Sequence, residues 1–154
     1  MTVSADIPGR GPLALEHVVL DLNGTLTDRG ALLPGVPEAL GRVRRELRVH
    51  LLSADTFGRL EAVAAHLGVR AGTIADGEDK ARFVRELGAE RCAAIGNGAN
   101  DRAMLEAAAL GIAVLGPEGS AGVALAAADV VCASILDALA LVVDPTALVA
   151  TLRA

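Results

Sequence analysis

The chain has 154 residues, a formal net charge of −5 and 53% hydrophobic residues, of which only Phe57 and Phe83 are aromatic. This length corresponds to one ordinary domain, whose core must be built mainly from Ala, Leu and Val. The absence of a long basic run argues against a nucleic-acid surface. The most apolar stretch, residues 121–143, is interrupted by Asp129 and Asp137, which argues against a membrane span.

The N-terminal segment, residues 1–13, contains acid, Pro and Gly rather than a basic and then apolar export signal. We therefore expect a loose leader there, followed by a single domain over residues 14–154. Cys92 and Cys132 lack the close Cys/His spacing of a zinc site, so we expect two buried free thiols. These features together predict a cytoplasmic protein.

Short apolar runs and amphipathic helical patterns alternate along the chain. The predicted order is strand 17–21, a helix opened by the prolines at 34 and 37, strand 49–52, a helix ending at 68, strand 69–75, helix 79–87, strand 92–95, helix 101–110, and strand 112–115. This alternation is typical of an α/β domain with a three-layer, doubly wound, Rossmann-like architecture and a mostly parallel sheet.

Polar residues follow three of the predicted strands at the point where each strand ends. Asp21 and Asn23 follow the first strand, Ser53 follows the second, and residues 97–101 follow the fourth. In open parallel sheets the carboxyl ends of the strands form the ligand crevice. We therefore expect these three loops to meet in one site.

The residue types in these loops fit phosphoryl transfer through an enzyme carboxylate. Asp21 can attack phosphorus, Ser53 can donate its hydroxyl to phosphate, and Lys80 can supply an ammonium. Asn97 and Asp101 carry the oxygen ligands that Mg²⁺ prefers. The pattern thus indicates a Mg²⁺-dependent reaction.

The sequence resembles the haloacid dehalogenase superfamily across residues 16–143. Residues 21–27, Asp-Leu-Asn-Gly-Thr-Leu-Thr, resemble its first motif, and Ser53 and Lys80 stand where it has its Ser or Thr and its Lys. Residues 96–101, Gly-Asn-Gly-Ala-Asn-Asp, resemble its acidic fourth motif. This last loop is especially similar to that of P-type ATPase phosphorylation domains, which places the chain nearest the soluble P-type-ATPase-like branch.

The resemblance implies a HAD-like hydrolase, a phosphatase that forms an aspartyl-phosphate on Asp21 with Mg²⁺ as cofactor. It implies catalytic positions at Asp21, Asn23 and Lys80, and metal positions at Asp21, the Asn23 main-chain carbonyl, Asn97 and Asp101. The phosphate-binding positions that it implies are Leu22, Gly24, Thr25, Ser53, Ala54, Lys80 and Asn100.

Two departures from the family pattern bear on turnover. Asn23 stands where most of these phosphatases have an Asp that protonates the leaving group, and such general acid–base help contributes roughly 10²–10⁴-fold. Asn97 stands where the family has a metal-binding Asp, and its amide oxygen carries no charge to attract Mg²⁺. We therefore expect weaker turnover and weaker metal binding than in a typical member.

The chain also has no room for a cap domain. About 25 residues separate the first motif from Ser53, and a similar number separate Ser53 from Lys80, which suffices only for the elements of the core. An uncapped crevice either admits large substrates or is covered by a neighbouring subunit in a homo-oligomer. The predicted partners are a small phosphorylated substrate or a phosphoprotein, with no nucleic acid and no membrane span.

Several motif residues have plain structural interpretations as well. Asn23-Gly24 is a frequent turn pair, and Ser53, Asp55 or Thr56 can cap the next helix.

The same holds further along the chain. A lysine near a helix start, as Lys80 is, usually points into solvent, and Asp101 can cap a helix. The loop Gly116–Gly119 can bind an anion at a helix N-terminus, although a simple turn is the commoner interpretation.

Three functions remain open from the sequence. The first is the hydrolase. The second is a catalytically impaired module that binds Mg²⁺ and a phosphorylated ligand and regulates a partner, which the two asparagines favour. The third is a soluble P-type ATPase-like phosphorylation domain acting with a transporter.

Overall fold

Strands and helices alternate in the computed structural model, which describes residues 1–54 and 59–154. Within these residues there are ten strands and seven α-helices. The strands are β1 (Val3–Ile7), β2 (Gly11–Leu15), β3 (His17–Asp21), β4 (Thr27–Asp28), β5 (Ala31–Leu32), β6 (Arg48–Ser53), β7 (Arg70–Thr73), β8 (Cys92–Gly96), β9 (Leu110–Val114) and β10 (Val130–Cys132). The helices are α1 (Val36–Val43), α2 (Arg59–Leu67), α3 (Gly77–Leu87), α4 (Arg102–Ala107), α5 (Gly122–Ala127), α6 (Ile135–Leu141) and α7 (Pro145–Leu152).

Six strands form one parallel sheet in the order β10-β9-β8-β3-β6-β7. The central strand β3 pairs with β6 on one side and β8 on the other, so that Leu20 lies opposite Leu51 and Ile95. Every residue of β3, β8 and β9 is buried, as expected for parallel strands covered on both faces. The predicted fold class is confirmed.

Two hydrophobic clusters cover the two faces of this sheet. Val18 and Leu20 belong to one cluster and Val19 to the other, because successive side chains of a strand point to opposite faces. The first cluster includes buried residues of α1, α2, α6 and α7, and the second includes those of α3, α4 and α5. The result is three layers, with the loops after β3, β6 and β8 at one edge.

The expectation of a loose leader over residues 1–13 is wrong. β1 and β2 form an antiparallel hairpin in which Val3 pairs with Leu15, and Ile7 with Gly11. Val3, Ile7 and Leu15 are buried in the same cluster as the helices of that face. The apolar residues of the hairpin alternate along each strand, so one face packs on the core while Ser4 and Asp6 on the other face point outward.

The helix predicted over residues 101–110 is shorter, and the strand after it begins earlier than residue 112. α4 ends at Ala107, and β9 already begins at Leu110. Gly111 makes the early turn possible, because a Cβ at this position would collide with the main-chain carbonyl of Leu105. The chain therefore passes directly under the end of its own helix.

The described residues hold no inserted domain between β3 and α3, as the spacing of the motifs predicted. Cys92 and Cys132 are buried and free, which confirms that expectation. In the part of the chain that the structure describes, no single helix is long and apolar enough to cross a membrane. α6 and α7 reach that length and hydropathy only as a pair, and they are bent by 103°.

Candidate active site

The loop that follows β3 brings Asp21 to the carboxyl edge of the sheet. The main-chain carbonyl of Leu22 accepts hydrogen bonds from the amides of Thr25 (3.3 Å) and Leu26 (3.0 Å), which closes the loop into a tight turn. Gly24 has φ of +76°, and a Cβ there would lie 2.7 Å from Nδ2 of Asn97. Glycine is required here by both the backbone conformation and the close approach of the neighbouring loop.

Lys80 joins the loops after β3 and β8 through its side chain. It lies near the start of α3, where Asp76 caps the helix by accepting from the amide of Asp79 at 2.9 Å. Its Nζ donates to Oδ1 of Asp21 at 2.7 Å and to Oδ1 of Asp101 at 2.6 Å. Lys80 is fully buried and is the only lysine of the chain, so it is not the solvent-exposed residue that its position suggests.

The electrostatics of this group of three are tightly linked. Burial and the nearby carboxylate of Asp101 raise the pKa of Asp21 to about 6, although Lys80 opposes the rise. Burial alone would lower the pKa of Lys80, but the carboxylates of Asp21 and Asp101 outweigh it and the pKa is raised. Lys80 therefore stays an ammonium at neutral pH and holds two carboxylates together.

Asp101 orders the loop after β8. Its Oδ2 accepts from the main-chain amides of Asn97 (2.9 Å) and Gly98 (2.8 Å), while its Oδ1 is bound by Lys80. A Cβ at Gly96 would lie 2.5 Å from Oδ2 of Asp101, so a glycine is needed where the side chain folds back over the strand end. Asp101 thus binds amides that precede it rather than capping the helix that follows.

Thr25 lies between the two oxygens that face a prospective metal. Its Oγ1 is 3.2 Å from Oδ2 of Asp21 and 3.1 Å from Oδ1 of Asn97. A hydroxyl has one proton, so it can satisfy only one of these acceptors at a time. The two acceptor oxygens beside this hydroxyl, one from a carboxylate and one from an amide, are ligands of the kind that a hard divalent cation binds.

The side chains at the metal positions predicted from the sequence already make hydrogen bonds within the protein. Among residues 1–54 and 59–154 no three His, Cys, Asp or Glu side chains form a group that could hold a metal ion. Both oxygens of Asp101 are hydrogen-bonded within the protein, and so are both oxygens of Asp21. The predicted positions Asp21, Asn97 and Asp101 therefore lie in one hydrogen-bonded group, and with the main-chain carbonyl of Asn23 they are the ones that would hold a divalent cation.

Both the side chain and the main chain of Asn97 are hydrogen-bonded to neighbouring loops. Its Nδ2 donates to the main-chain carbonyl of Gly119 at 2.9 Å, and its own carbonyl accepts from the amide of Ala121 at 2.8 Å. These bonds attach the loop after β9 to the loop after β8. They fix the amide so that its oxygen points towards Thr25.

Asn23 and Ser53 form a second polar pair at the same edge. Nδ2 of Asn23, which is exposed, donates to Oγ of the buried Ser53 at 3.2 Å. Ala54 and Asn100 are exposed, and no hydrogen bond joins the Asn100 side chain to the other site residues in the described part of the chain. The alternative helix caps Asp55 and Thr56 lie outside the described residues.

The loop Gly116–Gly119 is a part of the site that sequence reasoning treated as a simple turn. A Cβ at Gly116 would collide with the carbonyl of Gly24, so this loop packs directly on the loop of Asp21. The sequence signal for it was its position, because this loop follows β9 along the chain just as the loop after Asp21 follows β3. A fourth strand end therefore contributes to the edge.

This fold, with an aspartate at the end of the central strand and a buried lysine between two aspartates, defines a hydrolase of the haloacid dehalogenase type. The family model of the haloacid dehalogenase-like hydrolases matches residues 15–109, and the chain belongs to this family. An uncharacterized protein of Methanocaldococcus jannaschii is 40% identical over 78 residues, which are 48% of this chain and 84% of that protein.

Two solved structures illustrate the breadth of the likeness. The 3-deoxy-D-manno-octulosonate 8-phosphate phosphatase of Moraxella catarrhalis, in complex with magnesium, phosphate and KDO, has a TM-score of 0.70 at 16% identity, covering 90% of this chain and 94% of that one. A zinc-transporting PIB-type ATPase has a TM-score of 0.67 at 27% identity, covering 79% of this chain and 20% of that one. The first likeness shows the fold alone.

Proposed function

We propose that the protein is a Mg²⁺-dependent phosphatase that works through an aspartyl-phosphate on Asp21. The observation that carries the proposal is Lys80, whose buried ammonium contacts Asp21 at 2.7 Å and Asp101 at 2.6 Å. A buried cation next to a carboxylate nucleophile can bind the equatorial oxygens of a phosphate as negative charge spreads over them. The desolvation cost of burying these three charges offsets much of their attraction, so stability alone is a weak reason for the arrangement.

In the proposed reaction an oxygen of Asp21 attacks phosphorus, and the bond from phosphorus to the leaving oxygen breaks. Water then attacks the phosphorus of the aspartyl-phosphate, which releases phosphate and restores the carboxylate. Because Asn23 donates to Ser53 Oγ, the hydroxyl proton of Ser53 is left to bind a phosphate oxygen. Mg²⁺ at Asp21, Asn97 and the Asn23 carbonyl would supply charge neutralisation between nucleophile and phosphate.

The metal part of the proposal rests on the oxygens around Thr25 and on similar proteins. The Moraxella catarrhalis phosphatase contains magnesium. The corresponding enzyme of Haemophilus influenzae, with a TM-score of 0.63 at 20% identity over 78% of each chain, contains cobalt. Both structures support a divalent cation in this fold.

The second candidate is a module that binds Mg²⁺ and a phosphorylated ligand without turning it over. The amides of Asn23 and Asn97 favour it, because Asn23 has no proton to give to a leaving group and Asn97 brings no charge to the metal. The similarity to the PIB-type ATPase favours a third role, a phosphorylation domain whose phosphoenzyme persists.

Hydrolysis of p-nitrophenyl phosphate and acetyl phosphate, with Mg²⁺ and with EDTA, separates these functions. Both substrates have good leaving groups, so the missing acid at position 23 matters least. The phosphatase requires Mg²⁺-dependent release of phosphate that disappears in Asp21→Asn. A folded protein that binds Mg²⁺ but releases no phosphate would be the binding module, and a stoichiometric phosphoenzyme without turnover would be the phosphorylation domain.

A further inference from the structure

An apolar cavity of about 220 Å³ opens beside the loop of Asp21. Its walls come from two loops at the carboxyl edge of the sheet and from the start of α6, and none of its lining residues carries an ionisable side chain. The lining includes Thr25, Leu33, Leu115, Pro117, Ile135 and Leu136.

The cavity lies next to the candidate active site, with Thr25 between them. Thr25 lines it and also contacts Oδ2 of Asp21 at 3.2 Å. Gly116, another lining residue, packs so closely on the carbonyl of Gly24 that no Cβ fits between them. The cavity is therefore one side chain away from the carboxylate of Asp21.

Two leucines of the cavity are exposed to solvent. Leu115 is 51% exposed and Leu136 is 39% exposed, and they are two of the five exposed large hydrophobic side chains of the described residues. Leu136 packs on Gly35, where a Cβ would lie 3.2 Å from its Cδ1. Apolar side chains exposed next to a reactive group, in a cavity with few polar groups, are typical of a site for an apolar ligand.

Hydrogen bonds to two neighbouring loops hold the loop after β9, which forms one wall of the cavity, in place. Asn97 Nδ2 donates to the carbonyl of Gly119, and the amide of Ala121 donates to the carbonyl of Asn97. The amide of Arg29 donates to Oε2 of Glu118 at 3.0 Å, which attaches the same loop to the β4–β5 turn. A preformed wall binds a ligand without first losing conformational entropy.

We propose that this cavity binds the leaving group of the substrate, and that the substrate is an aryl or acyl phosphate with a compact apolar body. This proposal rests on the proposed phosphatase. The volume accommodates one six-membered ring, and the uncharged lining disfavours a ring or chain that carries a charged substituent. Asn23 adds a chemical requirement, because its amide cannot protonate the departing oxygen.

The step balances without an enzyme acid. An oxygen of Asp21 forms a bond to phosphorus while the bond to the leaving oxygen breaks, and that oxygen departs as a phenolate or carboxylate with the bonding electron pair. Both anions are stable enough to leave unprotonated. Water then attacks the aspartyl-phosphate, loses its proton to solvent, and releases phosphate with the carboxylate of Asp21 restored.

Benzoyl phosphate and acetyl phosphate test the cavity, because both release a carboxylate but only one carries an apolar ring. With Mg²⁺ we expect kcat/KM to be about 10-fold or more higher for benzoyl phosphate, the range for filling an apolar pocket. Leu136→Asn should lower this ratio about 10-fold, and Leu115→Asn should lower it too. The matched control is Val131→Asn, which alters a valine that is 48% exposed outside the cavity and should leave the ratio as it is.

Binding of phenylphosphonate and methylphosphonate, measured by calorimetry with Mg²⁺, gives a readout that needs no turnover. Equal kcat/KM for the two acyl phosphates, with turnover that Asp21→Asn abolishes, would overturn the cavity and leave the phosphatase standing. No turnover of either substrate, with phenylphosphonate bound more tightly and Leu136→Asn removing the difference, would sustain the cavity and overturn the phosphatase. Equal affinities of the two phosphonates would overturn the cavity in either case.

Discussion

The side-chain amide of Asn97 donates to the main-chain carbonyl of Gly119 at 2.9 Å, a hydrogen bond that an aspartate in this position cannot make. The same amide presents its oxygen to Thr25 Oγ1 at 3.1 Å, next to the carboxylate of Asp21. Asn97 therefore joins the loop after β8 to the loops after β3 and β9. An aspartate here would leave the carbonyl of Gly119 without this N–H donor.

Asn97→Asp should lower stability without metal and strengthen the response to it. The new carboxylate loses the donor to Gly119 and lies near Asp21, so we expect a loss of about 1–3 kcal/mol in EDTA. Mg²⁺ should then raise the melting temperature by more than in the wild type, since a charge attracts the cation. Asn97→Ala is the control and should lose stability without gaining affinity; an equal Mg²⁺ shift in Asn97→Asp and wild type would place the metal elsewhere.

Asn23→Asp should raise turnover, because it restores a group that can protonate the leaving oxygen and then activate water. We expect a gain of about 10²-fold for substrates with poor leaving groups, such as simple alkyl phosphates, and a smaller gain for aryl phosphates. Steady-state kinetics on both substrate classes measure this difference. Asn23→Ala, which removes the bond to Ser53 without adding an acid, should show no gain, and a uniform gain in both variants would contradict an acid–base role.

Lys80→Met should lower the free energy of unfolding by about 3–5 kcal/mol at neutral pH, because Asp21 and Asp101 lose the cation that holds them together in a buried site. Denaturant unfolding measures the loss, which should shrink at low pH as the carboxylates become protonated. Lys80 is the only lysine, so its burial can be checked separately by acetylating the native protein. Mass spectrometry should find the N-terminus modified and Lys80 protected, and rapid modification of Lys80 would refute the buried arrangement.

Asp21→Asn should stabilise the metal-free protein at neutral pH. Burial and the nearby carboxylate of Asp101 raise the pKa of Asp21 from 3.8 to about 6. The folded protein therefore binds a proton at Asp21 more tightly than the unfolded chain does. This adds to the free energy of unfolding in full below pH 3.8, and the addition is lost as the pH rises through about 6. The neutral amide avoids this loss, and we expect a gain of about 2 kcal/mol at pH 7.5 that largely disappears near pH 4. Unfolding in EDTA at both pH values tests this, with Asp6→Asn on the exposed face of the hairpin as the control. A gain that does not depend on pH would contradict the raised pKa.

The alternation of buried runs and amphipathic segments predicted the parallel sheet, because buried strands and covering helices have different hydrophobic periods. It missed the hairpin of β1 and β2, whose strands are five residues long and contain polar residues and a proline. Val3, Ile7 and Leu15 can be recognised as core residues only once the cluster that they join is known.

The sequence by itself determined which residues would gather at one edge, because the carboxyl ends of parallel strands lie on the same side of a sheet. Asp21, Ser53 and residues 97–101 could be assigned to that edge for this reason. Lys80 could be assigned to it only through the family resemblance, since its position on a helix allowed full exposure equally well.

Only the tertiary structure decided which of these residues form hydrogen bonds with one another. The bonds of Asp21 to Lys80 and of Thr25 to Asn97 join residues 59 and 72 positions apart, and the bond of Asn97 to Gly119 joins a third loop. Such contacts depend on the packing of loops against each other, which no local pattern of residues encodes. The burial of Lys80 and the cavity beside Asp21 result from that packing.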